Sequence, residues 1–186
     1  EDVNRSPAFF DEKKLLDFNK AYIRDLPFDE FVERAAAELP SDWDRDRFRA
    51  IAPHIQERLE RLSDAADAVD FLFVGDGVDP ALDAASWAKA TTPDWSGALL
   101  AEVTDAYVAL GVDDWTADTL KATIEEVMAR HEVKLGKAQA PVRVAVTGRS
   151  VGPPLFESLE VLGHDESIRR LRVALERLAN TEADES

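Results

Sequence analysis

Residues able to do chemistry concentrate in one stretch, "VRVAVTGRSVGPPLFESL", from Val142 to Leu159. Its Gly148-Arg149-Ser150-Val151-Gly152 matches G-x-S-x-G, the turn that exposes a nucleophilic serine in α/β-hydrolases. That chemistry needs a parallel sheet upstream and acid and histidine partners on later strands. Here only a short tail follows Ser150, nothing upstream alternates strand with helix, and the one downstream histidine, His164, stands beside a helix start. Pro153 and Pro154 occupy the place where the elbow's helix would offer free N–H groups. A catalytic Ser150 is therefore not expected.

Other chemical signals are weaker. His54, His131 and His164 share no i, i+4 spacing and the chain has no cysteine, which argues against zinc and excludes disulfides. "GDGVDPALD" presents Asp76, Asp79 and Asp83, yet lacks the spacing and terminal Glu of a calcium loop, so an interhelical turn is expected. Its glycines, Gly75 and Gly77, fit no phosphate-binding fingerprint. The remaining signal is charge. The chain carries a net charge of −16, which disfavours nucleic acid as a generic partner. Yet Arg130, Lys134, Lys137, Arg143 and Arg149 meet only Glu132 between Arg130 and Leu155, so an anion has one basic window to meet.

The elements that must position this window read as helices. With 186 residues and 45% hydrophobic content, the chain is long enough for one domain or two small packed ones. No apolar run spans a bilayer and no signal peptide opens the sequence, so a cytoplasmic chain is expected, one that begins without Met as a piece of something longer.

"FDEKKLLDFNKAYIRDL" carries an apolar pattern with Asp11 as N-cap, and "PFDEFVERAAAEL" starts at Pro27. "RFRAIAPHIQERLERL" puts Phe48, Ile51, Ile55, Leu59 and Leu62 on one stripe, kinked or split at Pro53. Ser63 is placed to cap "DAADAVDFLF", and "VGDGVDP" is a loop. Further helices are expected over Pro80–Thr91, from Thr92-Pro93-Asp94 to Gly111, and after a Thr116 or Asp118 cap. "PLFESLEVLG" and "DESIRRLRVALERLAN" close the chain, with an acidic tail from Thr181. Trp43, Trp87, Trp95 and Trp115 fall near helix starts, where core packing is expected.

The basic window, "KLGKAQAPVRVAVTGRSVGPPLFESLEVLG", resembles the C-terminal signature of bacterial glutamyl-tRNA synthetases. Lys134-Leu135-Gly136, Pro141-Val142-Arg143, Thr147-Gly148, Gly152-Pro153, Leu155-Phe156-Glu157 and Leu162-Gly163 carry the likeness. "NRSPAFFDEKKLLDFNKAYIRDL" is similar to that family's connection between its stem-contact and anticodon-binding regions, and "PHIQERLERLSDAADAVDFLF" to a helix of its first anticodon-binding subdomain.

The resemblance implies an all-α fold of two packed helical subdomains. Residues 1–92 would form the linker and first subdomain, 93–180 the second, and 181–186 a disordered tail. It also turns "VRVAV", a strand by propensity, into a short helix with Pro141 at its first position and Gly148 just past its end, consistent with the Pro-first, Gly-last rule.

The function implied is anticodon recognition within a glutamate–tRNA ligase. The H-I-G-H-type and K-M-S-K-S-type motifs that class I synthetases use for ATP are absent, so ATP and magnesium are expected only in a separate catalytic half, with no cofactor here. Anticodon bases are splayed and are read by stacking and edge hydrogen bonds, for which arginine is suited. By resemblance, Arg58, Arg143, Gly152, Pro153 and Leu155 would contact the anticodon, and Lys134, Lys137 and Arg149 its phosphates. The expected partner is glutamate tRNA, with no DNA, no membrane and a monomeric chain. The alternative, favoured by the acidity, is a helical protein-interaction module that keeps the fold without RNA.

Overall fold

The computed structural model describes residues 12–75 and 77–184, with side chains as far as Thr181; Asp11 and Asp76 lie outside the described residues. Among the described residues there are ten α-helices and no strand. The first four are short or amphipathic: α1 (Glu12–Asp25), α2 (Phe28–Ala36), α3 (Arg45–Ile51) and α4 (Asp64–Val69). Pro27 precedes α2 with extended backbone, and Phe31 and Ala35, four apart, bury the helix's inner face. The Asp44 carboxylate starts α3 by accepting the N–H groups of Asp46 and Arg47 at 2.8 and 3.1 Å.

Pro53 ends this helix. It lacks an N–H and its ring clashes with the carbonyl four residues back, so α3 stops at Ile51. The expected "HIQERLERL" helix becomes two single turns of 3₁₀-helix, Ala52–His54 and Gln56–Arg58. The stripe still reaches the core, with Phe48, Ile51, Ile55 and Leu59 buried. Ser63 does not cap α4 through its side chain; the Asp64 carboxylate instead accepts the Arg61 N–H at 3.0 Å. A further 3₁₀ turn, Asp70–Leu72, closes this part.

The later half of the chain holds α5 (Ala84–Thr91), which precedes the expected boundary at residue 92, then α6 (Ser96–Val108), α7 (Ala117–His131), α8 (Leu135–Thr147), α9 (Leu155–Leu162) and α10 (His164–Asp184). α5 begins at Ala84 rather than Pro80, because Asp83 takes the Ser86 N–H at 2.7 Å. Thr116 caps α7 by accepting the Thr119 N–H at 3.3 Å. α8 begins at Leu135, so Pro141 lies inside the helix rather than at its first position. Its end is as expected: Gly148 has φ of +77°, and a Cβ there would stand 2.2 Å from the Ala81 carbonyl oxygen. α10 runs on through Asp184.

One apolar cluster joins both parts, from Ile23 and Phe31 through Phe71 and Leu72 to Leu159 and Leu171. α8 lies at its centre, in contact with α5, α6, α7, α9 and α10. Two large buried aromatics find partners for their polar atoms: the Tyr107 hydroxyl donates to the Leu120 carbonyl at 3.0 Å and the Trp115 indole N–H to that of Leu159 at 2.9 Å. Trp115 is in the core, and Trp43, Trp87 and Trp95 pack against it while half-buried. No described helix is long and apolar enough to cross a membrane.

Candidate nucleic-acid interface

The loop between α8 and α9, Gly148–Pro154, organises the site. Arg143, about one turn before the end of α8, is half-buried beneath it and donates from Nη1 to the Pro153 carbonyl at 2.6 Å. The same Nη1 is 3.9 Å from where a Cβ on Gly152 would sit, so loop and guanidinium are in contact along two residues. Burial, and then the nearby charge of Arg58, lowers the Arg143 pKa below its ordinary value. The Glu157 carboxylate acts in the opposite sense and offsets part of this.

Arg58 arrives from the other part of the chain. The 3₁₀ turn Gln56–Arg58 is pinned on either side by Ile55 and Leu59, both buried, which leaves Arg58 exposed on the surface. Gln56 fixes the turn further by donating to the carbonyls of Ile23 and Leu26 at 3.0 and 2.8 Å. The Arg58 guanidinium has no hydrogen bond or ion pair among the described residues. It lines a concavity of about 370 Å³ with Asp67, Arg149, Val151, Gly152 and Pro153. Val151 is exposed at the rim, while the Arg149 guanidinium is held by the Asp70 carboxylate. The surface thus offers an accessible planar cation, a second one paired to an acid, apolar contact and backbone groups in one place.

The structure brings Arg58, Arg143, Arg149, Gly152 and Pro153 together. Leu155 is different: its side chain is 1% exposed and belongs to the core, so it anchors the start of α9 and cannot itself touch a base. Lys134 and Lys137 are exposed at the beginning of α8, the latter on the opposite side of the loop, where it lines a second groove with Ser150. The basic side chains therefore flank one loop on both sides.

Ser150 is engaged with Ser86. Its hydroxyl hydrogen-bonds the Ser86 hydroxyl at 3.0 Å and its N–H donates to the same oxygen at 3.1 Å, with neither imidazole nor carboxylate engaged. The histidines are used separately: His131 with Glu102 at 2.9 Å, His164 with Asp165 at 2.8 Å and edge-on to Trp115. Asp79 pairs with Arg169 at 2.9 Å and Asp83 caps α5. Among the described residues no group of three His, Cys, Asp or Glu is placed to hold a metal ion.

One residue that supports the site escaped the sequence reading. Arg170 of α10 is 2% exposed; its Nη1 donates to the carbonyls of Phe71 and Val146 at 2.9 and 2.8 Å, and its Nε to Glu166 at 2.7 Å. It joins the first part to the C-terminal end of α8, the helix that carries Arg143. The signal was there: Ser167, Arg170, Leu171 and Ala174 fall at three- and four-residue spacing on one face, and all four are buried.

Known proteins bear on this geometry. The family described as "Anticodon binding domain" matches residues 30–175. The glutamate–tRNA ligase of Frankia casuarinae is 52% identical over 185 residues, covering 95% of this chain and 38% of that protein. That of Thermobifida fusca is 50% identical over 186 residues, covering 96% of this chain and 38% of its own length. The chain thus spans about two-fifths of these relatives. Among solved structures, a glutamate tRNA ligase from Elizabethkingia meningosepticum in complex with its amino acid superposes with a TM-score of 0.72 at 23% identity, covering 90% of this chain and 32% of that one, which is a likeness of fold. By the family match over most of its length, with the cation-flanked α8–α9 loop inside the matched span, this chain belongs to the anticodon-binding domain family.

Proposed function

We propose that this chain reads the anticodon of glutamate tRNA as part of a glutamate–tRNA ligase and performs no chemistry of its own. The observation that carries the reading is Arg58: an exposed guanidinium with no partner among the described residues, held beside Arg143 and the Gly152–Pro153 backbone. A planar cation in that setting suits a splayed base, which it can stack on or hydrogen-bond along an edge. Arg143 holds the loop through Pro153 and supplies a second positive charge. Lys134 and Lys137, with the free N–H groups that begin α8, suit the phosphates on the other side.

The two-part helical organisation fits the same reading: the first part presents Arg58 and the second presents the loop. Reading RNA this way needs no metal and no cofactor; ATP and magnesium belong to the ligase's catalytic part. The chain works as a monomer in the cytoplasm, on one tRNA at a time. Local concentration of cations on a chain of net charge −16 serves to steer an anion to one face.

A gel-shift titration at low salt with an anticodon stem-loop of glutamate tRNA tests this. Saturable binding weakened by changing an anticodon base is expected. No binding at any salt concentration, with retained folding, would instead favour the protein-interaction module.

A further inference from the structure

Lys137 lines a second groove, between α5 and the first turn of α8, that does not include Arg58. It measures about 560 Å³, within the range of small-molecule sites (roughly 300–1,000 Å³). Lys89, Ala90, Pro93, Trp95, Lys137 and Ser150 are among the residues that line it. Its only charged lining residues are the two lysines, both exposed and neither ion-paired among the described residues. Asp94, between Pro93 and Trp95 in sequence, does not line it. In a chain with 38 acidic residues, this concave surface carries lysines and no acid.

The start of α8 sharpens this. Its first turn holds no acid, and Lys134 and Lys137 sit where the helix dipole is already positive. That placement opposes helix stability by itself and is favourable only when an anion neutralises it. The apolar part of the lining is Ala90, Pro93, Ala140 and Trp95, the last half-buried and packed against the core. An aromatic ring beside a phosphate-seeking lysine pair is the combination by which proteins hold single-stranded nucleotides without reading their identity.

We propose that this groove seats a nucleotide adjoining the anticodon on the same strand, its base against Trp95 and its phosphate between Lys89 and Lys137. The inference rests on the anticodon-reading assignment and extends it to a position outside the three anticodon bases. Continuity supports it: Arg149, Gly152 and Pro153 of the α8–α9 loop face the Arg58 surface, while Ser150 of that loop faces this groove. The Ser86 hydroxyl donates to the Ser150 hydroxyl and accepts the Ser150 N–H, which fixes the loop between the two. A strand whose bases are splayed at Arg58 passes over one short loop to reach Trp95. Because stacking accepts every base, this subsite adds affinity and register rather than selectivity.

The test uses the chain as it stands and an anticodon stem-loop RNA made abasic at one loop position at a time. Wild-type binding should fall on the order of tenfold at one loop position outside the anticodon, the scale of a lost stacked base. Trp95→Leu should abolish that sensitivity while leaving sensitivity at the three anticodon positions. Lys89→Glu, at an exposed position that leaves the fold intact by circular dichroism, should weaken binding to every RNA. Normal binding by both variants, or no abasic effect outside the anticodon, overturns the subsite and leaves anticodon reading standing. Failure of the wild-type chain to bind any of these RNAs overturns both.

Discussion

Removing the Arg170 guanidinium would leave three acceptors to find other partners, and the structure says which of them can. Glu166 keeps Arg169, which donates to it from Nε and Nη2 at 2.7 and 2.8 Å, and it is partly exposed to water. The Val146 carbonyl is one of the last of α8, beyond the reach of an intrahelical N–H, and the Phe71 carbonyl faces the same buried guanidinium. In Arg170→Met both carbonyls stay buried without a donor, at about 1–3 kcal/mol each. The apolar burial of Met offsets part of this, for a net loss of about 3 kcal/mol. For a chain of this size, at about 2–4 °C per kcal/mol, the midpoint should fall by about 6–12 °C. Arg170→Lys keeps the charge but cannot direct donors at three acceptors, so its loss should be intermediate. Urea and thermal unfolding followed by circular dichroism measure both. A loss below about 1 kcal/mol for Arg170→Met, the scale of a single ordinary hydrogen bond, would refute the claim that this side chain ties α8 to the first part.

Three further outcomes rest on particular contacts. Gly148→Ala places a Cβ against the Ala81 carbonyl at a left-handed φ, and should cost on the order of 2–4 kcal/mol in urea unfolding while leaving helix content unchanged. The Glu166 carboxyl is held below its ordinary value of 4.5, first by the hydrogen bond from Arg169 and then by that from Arg170. With its native pKa depressed, the unfolded chain binds the proton more readily. The stabilisation is therefore complete above about pH 4.5 and is lost as pH falls further, and Glu166→Gln should flatten stability against pH in that window. Replacing Lys134 and Lys137 together by Gln should weaken RNA binding alike for all sequences and make its salt dependence shallower.

The helical class, a cap at Thr116 or Asp118 and a break at Pro53 were legible because each rests on local backbone chemistry that a short window contains, whereas the helix ending at Gly148 was marked by resemblance against a strand propensity. Boundaries were less so. α8 starts at Leu135 because a proline is tolerated inside a helix when its neighbours supply packing, and Pro141 is buried among them. The stretch before α5 stays extended past Pro80 because Asp83 caps later and its N–H is taken by the Gly148 carbonyl at 2.8 Å, a partner far away in sequence. The same distinction runs through the site. Arg58 and Arg143 were marked by resemblance, but that Leu155 points inward, that Arg149 is tied to Asp70 and that Lys137 faces a second groove are tertiary facts. Arg170 shows the converse: its helical spacing put it on the buried face, and charge alone hid it.

Arg58 is the most direct test of anticodon reading, because a guanidinium that reads a base and one that merely faces solvent respond differently to its removal. Binding of Arg58→Gln should be measured against stem-loops varied singly at each anticodon base. A bidentate base contact predicts a loss of about 1–3 kcal/mol confined to one position, with relaxed choice there and unchanged discrimination at the other two. An unchanged preference at all three bases would contradict base reading and return Arg58 to the solvated surface.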